Sequence, residues 1–387
     1  MRMPFRRLLA LACLLTSLAA LAAAQAGDGA LLVFVGTYTG RGSEGIYAYR
    51  FDPATGEPVS LGLAAATDSP SFVEVDPKGR FLYAANELRT FRDEPTGAIS
   101  VFAIDRLPGK LRLLQQVSSL GADPAHLSLD RSARFLLVAN YTGGNYTVFP
   151  VGGDGRLGPR SAFVQDVGSG VDPKRQAGPH AHFIQTTNDN RFALVADLGL
   201  DQVLVHRFDA RSGSLTPADP PFVKLAPGAG PRHAAFAPSG RSVYVVNELD
   251  STVTVFDYRP DPGTLSTRQT VSTLPKGFTG ENTTAEIAID AKGRFLYVSN
   301  RGHDSIALFR VDPQAGTLTL VEAVSTGGRT PRHFTIDPTG RWLLAANQNS
   351  NTIVVFRIDP GSGRLAPTSG SVKVGSPVCV CFVPARY

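Results

Sequence analysis

The 387-residue chain reads as an all-β, seven-bladed β-propeller whose last blade is assembled from both ends of the sequence. Three observations predict it. Three phrases recur seven times each; the spacing from Ile46 to Ile353 averages about 51 residues; and the repeat begins in mid-unit and ends with the missing piece. Four short antiparallel strands with their turns occupy roughly 40–50 residues in a propeller blade.

Each unit reads in the same order. Strand A starts at a proline or its equivalent: Pro70, Pro124, Pro179, Pro231, Thr284, Pro331 and Pro377. A turn of the Asp-Pro-x-Gly kind follows in several units, where Asp76 and Asp337 read as structural turn formers. Strand B is the phrase Arg-Phe-Leu-Tyr-Val-Ala-Asn with variations, at 80–86, 134–140, 191–197, 241–247, 294–300 and 341–347, with a shorter copy at 31–37. Strand C alternates from Ile46, Ile99, Tyr146, Val203, Val253, Ile306 and Ile353, and strand D follows a Gly-x-Leu such as Gly316-Thr317-Leu318. Period-2 alternation and β-branched or aromatic residues favour strands throughout, and no amphipathic helical stretch competes. The lone strand A at 376–383 completes a blade with residues 31–66 and leaves the ring no open edge.

Composition agrees with this reading. Hydrophobic residues make up 43% and charged residues 18%, which excludes disorder, and 39 glycines with 28 prolines supply the turns. Arg2, Arg6 and Arg7 precede an apolar run over 8–21 and then Ala22-Ala23-Ala24-Gln25-Ala26. That order predicts a signal peptide over 1–26, a single mature domain over 27–387, and an exported, periplasmic or secreted protein with no stable membrane insertion. Removing the leader takes three arginines and no acid, so the net charge drops from +5 to +2 and gives no argument for nucleic acid. Cys379 and Cys381, two apart on one strand, point the same way and do not bridge.

In a propeller the D-to-A and B-to-C connections gather around one mouth of the axial channel. At the start of strand A stand His126, His180 with His182, Arg232 with His233, Glu286, and Arg332 with His333. Just past strand B stand Glu87, Tyr141, Glu248, Arg301 and Gln348. Charged groups from five blades on one rim point to a small-molecule site, because such groups seldom converge without a ligand. The strand-end asparagines Asn140, Asn247, Asn300 and Asn347 read as loop braces. His180-x-His182 has the spacing of a metal-ligand pair, but the arginines on the same rim oppose a cation, so neither metal nor other cofactor is expected. A Gly-x-Ser-x-Gly nucleophile elbow and a phosphate-cradling glycine loop are both missing from the sequence.

Gly230-Pro231-Arg232-His233 followed by Val246-Asn247-Glu248-Leu249 resembles the signature of the seven-bladed propeller lactonases, which include propeller-type 6-phosphogluconolactonases and fungal carboxymuconate lactonizing enzymes. The likeness continues through Gly178-Pro179-His180-Ala181-His182, Val298-Ser299-Asn300-Arg301 and Thr330-Pro331-Arg332-His333, and covers about residues 30–385. It implies a lactonase, a carboxylic ester hydrolase acting on an acidic lactone, with the family's active-site His, Arg, Glu and Arg on His180, Arg232, Glu248 and Arg301.

The residues themselves agree with lactone hydrolysis. Glu248 or His180 is a candidate base for the attacking water, and Arg232 and Arg301 are candidate donors to the oxyanion. Arg332 offers a bidentate fork to an acidic substrate, with His126, His182, His233, Glu286, His333 and Gln348 as further substrate contacts. Ring-closing lactonization uses the same groups in reverse. A non-catalytic ligand-binding or scaffolding propeller is the rival, and it predicts a flat, aromatic, non-ionic face.

Overall fold

The computed structural model describes residues 29–40 and 42–384. The proposed signal peptide at 1–26 lies outside the described residues. The described residues form seven four-stranded antiparallel sheets. Blade 1 runs through strands A to D at Pro70–Val75, Phe81–Asn86, Ala98–Asp105 and Lys110–Ser118. Strand A opens blades 2 to 6 at Pro124–Leu129, Ala181–Thr186, Pro231–Phe236, Thr283–Ile289 and Pro331–Ile336. Blade 7 pairs Pro377–Phe382 as strand A with Leu31–Thr37, then continues through Gly45–Asp52 and Glu57–Ala66. The terminal closure read from the sequence is therefore observed, with Phe34 opposite Cys381 and Val35 opposite Val380.

Each strand A packs against the next around the ring, and the circuit closes from blade 7 to blade 1. Seven apolar clusters lie between neighbouring blades, one per interface; Leu194, Val245 and Phe256, for example, fill the seam between blades 3 and 4. Full burial of side chains of this size contributes about 1.5–3 kcal/mol each, so the ring is held by its seams. Cys379 and Cys381 are free thiols. No helix among the described residues is long and apolar enough to cross a membrane.

The Asp turns behave as structural devices. Asp337 Oδ1 accepts from the backbone N–H of Arg341 and of Trp342, each at 2.8 Å, and Asp130 repeats the pattern with Arg134 and Phe135.

One feature of strand A was not foreseen. In all seven blades its register against strand B slips by one residue near the first position, as between Pro231 and His233. A bulge of this kind leaves an extra residue on one strand and re-aims its side chains. Two successive residues per blade are thereby turned into the channel, an upper one such as Arg232 and a lower one such as His233. The register also corrects the start of strand A in blade 3. Ala181, not Pro179, pairs with the end of strand B, so His182 occupies the position of Arg232 and His180 precedes the strand.

Candidate active site

At the channel mouth Glu248 is the hub. It stands immediately after strand B of blade 4, Ser242–Asn247, and its side chain is nearly buried. Its Oε2 accepts from Arg232 Nε at 3.0 Å and lies 2.8 Å from Arg301 Nη2, while Oε1 accepts from Arg175 Nη2 at 2.5 Å. Burial pushes the Glu248 carboxyl up, but the guanidinium groups of Arg301, Arg232 and Arg175 outweigh it and hold the group far below the ordinary carboxylate range. Glu248 is therefore a fixed anion that gathers three cations.

Arg232 is only 2% exposed. Its Nη1 donates to the Ala285 carbonyl at 2.7 Å, which leaves Nη2 as the donor without a partner among the described residues. Arg301 Nη2 also donates to the Thr284 carbonyl at 2.7 Å, and its Nε is buried without a partner. Arg332 lies over the Tyr38 ring, 5.2 Å from its centroid, and 3.6 Å from Glu87 Oε2, whose carboxylate accepts from Tyr38 Oη at 2.8 Å. Four guanidinium groups thus face two carboxylates at the mouth, so the site carries excess positive charge.

His180 completes the rim. Its ring stacks on Tyr141 at 4.4 Å and 12° between planes, and its Nδ1 lies 3.0 Å from the Tyr141 carbonyl. That carbonyl only accepts, so Nδ1 carries a hydrogen, and in the neutral ring the lone pair is on Nε2. Its backbone N–H is held by Asp197 Oδ1 at 2.8 Å.

The lower residues of each bulge form a separate layer. His126 packs between Phe72 and Phe183 at 4.4 and 4.5 Å, and His233 lies 5.2 Å from His126 and 5.1 Å from His182. Phe72 of blade 1 reaches His233 of blade 4 across the axis at 6.0 Å. Glu286 Oε2 lies 3.1 Å from His233 Nδ1 and 3.4 Å from His333 Nε2. Burial pulls His126, His182 and His233 well below the ordinary imidazole range and His333 down to about 4, while it raises Glu286. These imidazoles are neutral.

The candidate residues therefore fall in three places. His180, Arg232, Glu248, Arg301 and Arg332 meet at the mouth, with His182 in the wall below Tyr141 at 5.4 Å. His126, His233, Glu286 and His333, expected on the rim, instead form a floor that fills the channel, because the bulge turns them one layer inward. Gln348 opens a short 3₁₀ turn and lines a neighbouring cleft of about 880 Å³ with Arg301, Arg329 and Glu281. Sequence reasoning missed Arg175 and Tyr38 altogether. Arg175 sits in a D-to-A connection spanning 166–180, longer than that of any other blade, and that length was the available signal.

The fold and this ionic mouth define a propeller with a small-molecule site, not a flat binding platform. The family model for lactonase, 7-bladed beta-propeller, matches residues 32–382, and the chain belongs to that family. It is 37% identical to a 6-phosphogluconolactonase of Bacillus subtilis over 76% of this chain and 81% of the relative. A 6-phosphogluconolactonase of Formosa agariphila is 35% identical over 75% and 81% of the two chains. Among solved structures, the periplasmic gluconolactonase of Pseudomonas aeruginosa superposes with a TM-score of 0.85 at 38% identity, covering 92% of this chain and 99% of that one.

Proposed function

We propose that the protein is an exported lactonase that opens a sugar-acid or related acidic lactone at the channel mouth. The observation that carries this is the Glu248 hub, which clamps Arg175, Arg232 and Arg301 where an ester oxyanion would be stabilised. The names of the relatives support the substrate class, and the periplasmic relative supports the location.

In this mechanism the lactone enters from the mouth and rests on the floor of neutral imidazoles. His180 Nε2, left free by the hydrogen bond at Nδ1, takes the proton of the attacking water. Charge develops on the carbonyl oxygen and is met by Arg232 and Arg301, which are already fixed and need no reorganisation. The proton then passes to the departing ring oxygen, giving the open hydroxy acid. Glu248, so strongly ionised, holds the arginines and does not serve as the base. Arg332, backed by Tyr38 and Glu87, takes the substrate's remote acidic group.

Acid release from a panel of phosphorylated and unphosphorylated sugar lactones and dicarboxylic lactones tests the reading. Turnover of at least one, above spontaneous opening, is expected; failure across the panel refutes it. N-terminal sequencing of the protein from its native host tests export, with a start near residue 25 or 27 expected and an intact Met1 excluding it.

A further inference from the structure

Strand B carries an asparagine at or next to its end in five blades, at Asn86, Asn140, Asn247, Asn300 and Asn347, but ends on Asp197 in blade 3. In four of those five blades the asparagine faces a Ser or Thr just past strand D of the preceding blade. Asn86 Nδ2 donates to Thr67 Oγ1 at 2.9 Å, and Thr273 Oγ1 donates to Asn300 Oδ1 at 2.6 Å. Asn140 and Asn347 donate to the carbonyls of Ser119 and Thr326 at 3.1 and 3.2 Å. In blade 3 the facing residue is Asp166. A brace from an amide to a Ser or Thr has become carboxyl against carboxyl, only in the blade that presents His180.

The pair is nearly closed off from solvent, with Asp197 0% and Asp166 7% exposed. Asp197 Oδ1 accepts from the backbone N–H of His180 at 2.8 Å and of Leu200 at 3.1 Å. Tyr146 Oη, 2.5 Å from His206 Nε2, reaches Asp166 Oδ1 at 3.3 Å. The remaining oxygens, Asp166 Oδ2 and Asp197 Oδ2, are buried and accept from no donor among the described residues. His206 is held down to about 4 by burial, so it brings no cation, and Asp201 nearby is engaged by Gln176 Nε2 and the N–H groups of Gly228 and Gly230. Two facing anions without a counter-charge are untenable in such a place.

We propose that Asp166 and Asp197 share one proton, and that Asp166, as the protonated partner donating to Asp197, is a positioning residue for the 166–180 segment carrying Arg175 and His180. Burial first, and the Asp197 charge second, hold Asp166 up to about 8. The brace is intact at neutral pH. Above pH 8 the second ionisation sets two anions against each other, and the segment loosens from the Glu248 hub.

The test compares wild type with Asp166→Asn, whose amide keeps the donor at every pH. Infrared difference spectra and steady-state rates are taken from about pH 6 to about pH 9, the rates corrected for spontaneous ring opening. Wild type should show a protonated carboxyl band titrating near pH 8, absent from Asp166→Asn. Its kcat/KM should fall about tenfold between pH 7 and pH 9 while that of Asp166→Asn stays flat. An unchanged band in the variant, or an alkaline limb that survives in it, overturns the proposal. Should Asp166→Asn fail to fold, Asp197→Asn restores the amide of the sister blades and must lower the Asp166 titration from its wild-type position, because it removes the Asp197 charge and leaves only burial to hold it up. The kinetic arm rests on the lactonase reading; the infrared arm does not, so a protein inactive on lactones would still decide the pair.

Discussion

The division of labour at the mouth is set by burial. Arg232 has its Nη2 left to donate to substrate and is otherwise locked to Glu248 and the Ala285 carbonyl. If that donor meets charge formed only in the transition state, Arg232→Ala should lower kcat by about 10²–10³ with a smaller change in KM. A mere brace would instead lose stability while its folded fraction kept the wild-type kcat; thermal melts beside single-turnover rates separate the two. Glu248→Gln should act differently, because it strands three guanidinium groups together. Breaking a buried ion pair in this way costs about 3–5 kcal/mol. Because the folded Glu248 is depressed below its unfolded value of about 4.3, its contribution is present above that pH and is lost as pH falls toward the folded value. The difference in Tm between wild type and Glu248→Gln should therefore be level from pH 5 to pH 8 and shrink below about pH 4. A gap that instead grew on acidification would remove Glu248 from the hub.

Among the elements, strand A and the 166–180 connection decide the site's shape. Gly199, in the B-to-C turn of blade 3, lies where an added Cβ would overlap the Gly178 carbonyl and crowd the His180 backbone nitrogen at 2.9 Å. Gly199→Ala should displace the Gly178–His180 backbone and lower kcat/KM at least about tenfold, with little loss of Tm, because the blade seams are untouched. Unchanged kinetics would show that this segment does not position His180. Arg175→Ala should leave the fold intact and raise KM more than it lowers kcat, read from full saturation curves. The same elements explain what the sequence made legible. Seven copies of one phrase carry their own alignment, so strands B and C were placed within a residue or two, and Arg232, Glu248 and Arg301 fell on neighbouring blades at one mouth. The strand A bulge leaves no trace in an alternating pattern, which is why His233 and His333 were expected on the rim and lie in the floor. Arg175 has no counterpart in other units, so the comparison of repeats that located the other arginines could not reach it.

At the scale of the whole molecule, stability comes from seven similar seams and one terminal join. Deleting residues 376–387 removes strand A of blade 7 and exposes Val35 and Phe34, both fully buried. The truncated protein should be insoluble, measured as the soluble fraction after expression; a soluble, active truncation would show that the ring closes without its last strand.

The join also sets a clock. Leu31–Thr37 is made before every other described strand, yet its partner Pro377–Phe382 is the last of the described strands to be made. Until then the nascent protein is an arc with two unsatisfied edges, and Glu286 in the floor lacks the Cys379 strand beside His333. The proposed site at the mouth, which draws on residues of all seven blades, is therefore complete only once the ring closes. If the chain is exported as proposed, it passes the export channel as an open thread, and the ring closes only on the far side.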